Sequence, residues 1–128
     1  MTRRRRFLLD THVLLWLLGG DRRLPAAARA RLDEADAVYV SAASIWEISI
    51  KRALGRLRAP TDLLAVIAES SLEPLAVRLD HADLAGGLPR HHPDPFDRML
   101  VAQALVDHLT LVSADPVLPA YDVELMSV

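Results

Sequence analysis

Four acidic residues stand where a carboxylate serves folding poorly and chemistry well. Asp10 directly follows Phe7-Leu8-Leu9, and Asp115 stands just past Leu111-Val112, two apolar runs that read as strands. In open α/β sheets ligands bind outside the carboxyl ends of the strands, so both positions point to a site. Asp97 heads a helical pattern in which Leu100, Val101, Ala104 and Leu105 share its face. That face is core-directed, an expensive place for a lone carboxylate. Glu47 lies between Trp46 and Ile48 on a mostly apolar helix. Carboxylates that converge raise one another's pKa, and a divalent cation removes the penalty. All-oxygen ligands suit Mg²⁺ or Mn²⁺ rather than zinc. Such an ion acidifies bound water and neutralises charge developing on a phosphodiester. Without these four acids the formal charge moves from −2 to +2, which suits a negative cleft in a mildly positive surface.

Each acid also has a purely structural reading. Asp115 before Pro116 fits a helix N-cap with proline in the first turn. Ser44-Ile45-Trp46-Glu47 matches a capping box, and Glu47 with Lys51 forms an i,i+4 ion pair worth about 0.2–0.5 kcal/mol. Asp94 and Asp97 can both serve the start of one helix, where the dipole favours negative charge. Asp33, Glu34 and Asp36 read as a solvated helix end, and Asp80 as an N-cap.

The elements that must position these groups follow from pattern. Strands are expected at 6–9, 38–40, 75–77, 109–112 and near 123–126. Helices are expected at 14–18, stopped by Gly19-Gly20, and at 25–35, 41–54, 60–70, 80–87 and 96–106. Short strands apolar on both faces, alternating with helices, argue for an α/β sandwich around a central, mainly parallel sheet of about five strands. The 128 residues read as one domain without linker, repeat or low-complexity segment. With no cysteine, disulfide scaffolds, thiolate metal sites and catalytic thiols are excluded, and the composition fits a cytoplasmic protein. No apolar run approaches the roughly 18 residues a membrane span needs. Arg3 to Arg6 before Phe7-Leu8-Leu9 loosely resembles a twin-arginine export leader, with Ala26-Ala27-Ala28 as its cleavage region. Asp10 and His12 interrupt its apolar stretch, which favours a basic arm leading into the first strand.

At these residues the chain resembles the PIN-domain family, and within it VapC-type toxins of bacterial toxin–antitoxin pairs. The likeness rests on Leu8-Leu9-Asp10-Thr11-His12-Val13-Leu14-Leu15-Trp16, on Ser41-Ala42-Ala43-Ser44-Ile45-Trp46-Glu47-Ile48 with Lys51, and on Leu111-Val112-Ser113-Ala114-Asp115-Pro116. Its most specific block is His92-Pro93-Asp94-Pro95-Phe96-Asp97-Arg98-Met99-Leu100-Val101-Ala102-Gln103-Ala104. Two departures occur: Ser113 where many members carry Thr, and Pro93 where Arg is common. The resemblance implies a single PIN domain over residues 1–128, an α/β/α sandwich, with Mg²⁺- or Mn²⁺-dependent endoribonuclease activity in which metal-activated water attacks the scissile phosphorus. Asp10, Glu47, Asp97 and Asp115 become the catalytic, metal-binding quartet, with Asp10 and Asp97 the most direct ligands. Thr11, Ser44 and Ser113 would orient carboxylates through hydrogen bonds, joined by Asp94, while Arg98, Lys51 and His92 would contact substrate. The implied partners are RNA, a VapB-like antitoxin and a second copy of the chain, in a homodimer and a toxin–antitoxin hetero-oligomer.

Other readings compete. His91, His92 and Asp94 could ligate a metal, but adjacent histidines on an extended segment point oppositely, which favours a loop role near RNA phosphate. Trp16 and Trp46 on apolar helices read as core or dimer interface rather than base-stacking platforms. Neither a nucleophile elbow nor a glycine-rich phosphate loop is present. Arginine supplies 14 of the 15 basic residues. A phospho-accepting receiver would need a lysine late in the sheet, and the single lysine is Lys51, on a helix. A PIN domain used purely for binding would lack one of the four acids, and all are present.

Overall fold

In the computed structural model, which describes residues 5–128, the apolar runs build one sheet. The first residues of the arginine arm, Arg3 and Arg4, lie outside the described residues. Strand β1 (Arg6–Leu9) is flanked by β2 (Ala37–Ser41) and β4 (Thr110–Ser113), with β3 (Glu73–Leu75) and β5 (Leu125–Ser127) at the edges. All four pairings are parallel, and the order is β3-β2-β1-β4-β5. Chain connections leave β1 first towards β2 and later return to β4, so the strand order reverses between β1 and β4.

Alternation along the strands sends side chains to two cores. Phe7, Leu9, Val38, Val40, Val112 and Met126 meet residues of α1 (Thr11–Gly19), α2 (Ala26–Asp33), α3 (Ala42–Ala53) and α4 (Leu63–Glu69) on one face. Leu8 and Leu111 face the opposite way, onto α5 (Leu79–Gly87) and α6 (Pro95–Asp107). Burial of strands on both faces is what crossover helices impose on a parallel sheet. The result is the expected α/β/α sandwich. Phe7-Leu8-Leu9 forms the central strand and Ala26-Ala27-Ala28 opens α2. No helix among the described residues is long and apolar enough to cross a membrane.

Several expected boundaries move. β3 lies at 73–75 rather than 75–77, because this edge strand tolerates Pro74, while the Ala76 carbonyl leaves the ladder and accepts from Gln103 Nε2 at 3.3 Å. Pro25 is the N-cap of α2 rather than its first helical residue, and α4 begins at Leu63 rather than Pro60. Asp80 is not the N-cap of α5. Arg78 holds that place, and its N–H donates to Nδ1 of the buried His81 at 3.0 Å. His81 Nε2 in turn donates to Asp107 at 3.0 Å, tying the start of α5 to the end of α6. At the end of α1, Gly20 takes φ 62°, a left-handed turn that glycine enters without steric cost.

Candidate functional site

The turn after β1 begins at Asp10, whose side chain caps α1. Asp10 Oδ1 accepts from Val13 N–H at 2.8 Å, and Oδ2 accepts from Ser113 Oγ at the end of β4. Ser113 Oγ also accepts from Asp115 N–H at 3.0 Å. One serine thus links the two strand-end aspartates across the point where strand order reverses, which is where doubly wound sheets form their ligand crevice. Burial raises the pKa of Asp10 first of all, against the lowering hydrogen bonds from Ser113 and Val13.

Glu47 reaches the same crevice from α3. The capping-box reading fails because Ser41 is the N-cap, its hydroxyl accepting from Ala43 N–H at 3.0 Å. That places Ser44 at the end of the first turn and Glu47 in the second, both on the helix's buried side. Thr11 Oγ1 donates to Glu47 Oε1 at 2.6 Å and lies 3.1 Å from Ser44 Oγ. Lys51 Nζ donates to Glu47 Oε2, and this hydrogen bond raises the lysine's pKa.

Asp94 caps α6 by accepting from Phe96 N–H at 2.8 Å, and Pro95 occupies the first turn. Asp97 follows one turn on, with its side chain 20% exposed. Burial, then the nearby Asp94 charge, push its pKa up to about 7, with Glu47 and Asp10 adding to the rise and His92 opposing it. Asp115 Oδ1 accepts from Val117 N–H at 2.8 Å, closing a turn rather than capping an α-helix. Its Oδ2 accepts from His92 Nε2 at 2.7 Å.

A cavity of about 370 Å³ collects these groups. Asp10, Glu47, Asp94, Asp97 and Asp115 all line it, together with His12, Trp16 and Lys51. Five carboxylates thus face one ammonium, and that ammonium is already paired with Glu47. Such an excess of oxygen ligands and negative charge fits a hard divalent cation.

The sequence model for the PIN domain matches residues 7–124. The chain belongs to the PIN-domain family. Among its relatives, Ribonuclease VapC22 of Mycobacterium tuberculosis is 29% identical over 111 residues, covering 84% of this chain and 85% of that protein. Among solved structures, VapBC2 from Rickettsia felis bound to a DNA fragment from its promoter superposes with TM-score 0.69 at 14% identity. The match covers 95% of this chain and 98% of that one. DNA-bound VapBC from Salmonella typhimurium gives 0.68 at 20% identity, covering 96% and 98%. FitAcB from Neisseria gonorrhoeae gives 0.64 at 21%, covering 94% and 96%. At these identities the solved structures establish a shared PIN fold.

Within this PIN domain, the paired histidines and the two tryptophans occupy contrasting surroundings. His92, expected in a loop near substrate phosphate, does lie in the loop before α6, with its Nε2 2.7 Å from Asp115 Oδ2 and 3.2 Å from Asp97 Oδ2. His91 turns away to meet the Tyr121 ring at 5.0 Å, as adjacent side chains on an extended segment do. Trp46 belongs to neither core. It is 64% exposed, packs edge-on against Phe96, and lines an apolar groove with Val77 and Met99. Trp16 is half-buried against the first core and forms part of the acidic cavity.

Arg98 is absent from the lining of the acidic cavity. Its guanidinium donates to the carbonyls of Ala85 at 2.9 Å, Leu88 at 3.0 Å and Pro89 at 3.1 Å, clamping the end of α5 and the loop that leads to His92. Losing three charge-assisted bonds to main chain will cost Arg98→Ala about 2 kcal/mol in urea unfolding. Arg98→Lys will recover only part of it, since an ammonium lacks the planar fork. Full recovery by lysine would show that charge alone matters there.

Proposed function

We propose that this PIN domain is a metal-dependent endoribonuclease, the toxin of a toxin–antitoxin pair, hydrolysing RNA phosphodiesters with Mg²⁺ or Mn²⁺. The observation that carries the reading is the convergence of Asp10, Glu47, Asp97 and Asp115 on one cavity at the strand-order reversal. The names of its relatives, a ribonuclease and components of toxin–antitoxin complexes, support the same reading. The implied partners are an RNA substrate, a cognate VapB-like antitoxin and a second copy of the chain, in the cytoplasm.

A divalent ion bound here supplies charge neutralisation at the phosphodiester and acidifies a water molecule. Asp10 and Asp97 are the carboxylates we assign as its direct ligands, with Glu47 and Asp115 acting partly through water. The chain's own contribution is to hold these oxygens still. Ser113 and the Val13 N–H fix both oxygens of Asp10, and Thr11 fixes Glu47 with Ser44 beside it. Such outer contacts carry weight, since their loss costs about 10–100-fold in metal affinity or activity. Lys51, its ammonium paired with Glu47, also lines the cavity where a substrate phosphate would lie.

Purified protein incubated with total RNA will give discrete cleavage products with Mg²⁺ or Mn²⁺ and none with EDTA. Cleavage that survives EDTA would place the activity at a metal-independent centre and overturn the reading.

A further inference from the structure

The loop between α5 and α6 delivers His92 into the gap between two carboxylates contributed by distant parts of the chain. His92 Nε2, Asp97 and Asp115 present donor atoms all within 4.8 Å of one another, a spacing that by itself would suit a three-ligand metal site. The far side of the ring decides otherwise. Nδ1 accepts the main-chain N–H of Asp94 at 3.0 Å, so it must keep its lone pair and the ring proton resides on Nε2. A histidine that ligates metal through Nε2 carries its proton on Nδ1 instead. The loop that carries the ring is pinned as well, because the His92 main-chain N–H donates to Tyr121 Oη at 3.0 Å. Two neighbours therefore fix the loop and the tautomer, and the remaining N–H is hydrogen-bonded to Asp115 Oδ2 at 2.7 Å, with Asp97 Oδ2 3.2 Å from the same nitrogen.

We propose that His92 is a positioning residue of the metal centre: a tautomer-locked donor that braces Asp115 and Asp97 against each other, and neither a metal ligand nor a substrate contact. This rests on the metal-dependent reading above. Asp115 Oδ1 is already held by Val117 N–H, so the brace leaves that carboxylate no freedom to swing away. Main-chain N–H groups on this loop set the orientation of the ring, and the ring sets the orientation of the acids. Glutamine at this position retains an N–H donor beside an acceptor oxygen but offers no aromatic nitrogen to a metal, so it separates a donor from a ligand.

The experiment uses histidine-¹⁵N-labelled full-length protein and Mg²⁺ or Mn²⁺ as probes, with His92 assigned by its loss in His92→Gln. In the metal-free protein the His92 signals will show a protonated Nε2 and an unprotonated Nδ1, and saturating Mg²⁺ will leave that pattern in place. By calorimetry, His92→Ala will bind Mn²⁺ about 10–100-fold more weakly than wild type, while His92→Gln stays within about threefold. Far-UV circular dichroism checks that both variants fold. A proton on Nδ1, before or after Mg²⁺, would overturn the proposal. Equal weakening in both variants would mark a ligand, and wild-type affinity in His92→Ala would remove the brace. Should wild type itself take up no Mn²⁺, the metal reading fails while the metal-free tautomer still judges the brace.

Discussion

Replacing Asp97 by asparagine will abolish metal-dependent RNA cleavage and, in the same variant, stabilise the metal-free protein. The two effects share one cause. Asp97 is held on a largely buried helix start beside Asp94, Glu47 and Asp10, with its pKa up at about 7 against an ordinary 3.8. Where the folded value lies above the unfolded one, the native state keeps a proton that the unfolded chain has released. Native stability therefore falls as pH rises from about 4 to about 7, and stays low above that. Asparagine removes the charge, so the variant will be more stable at pH 8 by on the order of 1–2 kcal/mol after allowance for solvent screening, and its pH slope across this window will flatten. Activity moves the other way: losing an outer contact costs about 10–100-fold, and losing a direct ligand will cost on the order of 10³-fold or more. Thermal melts from pH 4 to 8 with EDTA, beside an RNA digest with Mg²⁺, read both quantities. A variant that cuts RNA like wild type would place the centre elsewhere, and an unflattened slope would mean that Asp97 is not the strained group.

Lys51→Met will unfold at much lower urea concentration than wild type. Glu47 is 3% exposed, one of its oxygens held by Thr11 and the other by Lys51. Removing the ammonium leaves a buried carboxylate among other acids, and breaking a buried pair in this way costs about 3–5 kcal/mol. Because Lys51 is partly open to solvent, about 3 kcal/mol is expected. Adding Glu47→Gln to Lys51→Met will restore most of the loss, since the amide has no charge to leave unpaired. A double variant as unstable as Lys51→Met alone would show that the methylene stem of the lysine, rather than its charge, holds α3 in place.

Much of the site was readable from the residues because its chemistry coincides with strong local signals. β1 and β4 are short apolar runs, so the acids just beyond them fall at the carboxyl edge of the sheet whatever the helix boundaries do. α6 announces itself through its periodic apolar face and through Asp94-Pro95, an N-cap followed by proline. What escaped was non-local. Nothing near His92 in sequence reveals that its ring meets Asp115, 23 residues away, and His81 finds Asp107 across 26. The false capping box at Ser44 failed for a related reason. Ser41 sits at the very end of β2, so the strand decides where α3 can start, and the helix then carries Ser44 and Glu47 inward. The apolar stretch at 75–77 misled because Val77 serves the exposed groove beside Trp46 rather than the sheet.

Ser113 joins Asp10 to Asp115, and its strand is the fourth of five to leave the ribosome. A nascent polypeptide that stops short of β4 already contains Asp10, Glu47 and Asp97 but has no partner for β1 on that side. The four acids therefore come together only once β4 has joined β1, and a chain cut short before β4 lacks both Asp115 and the serine that links it to Asp10.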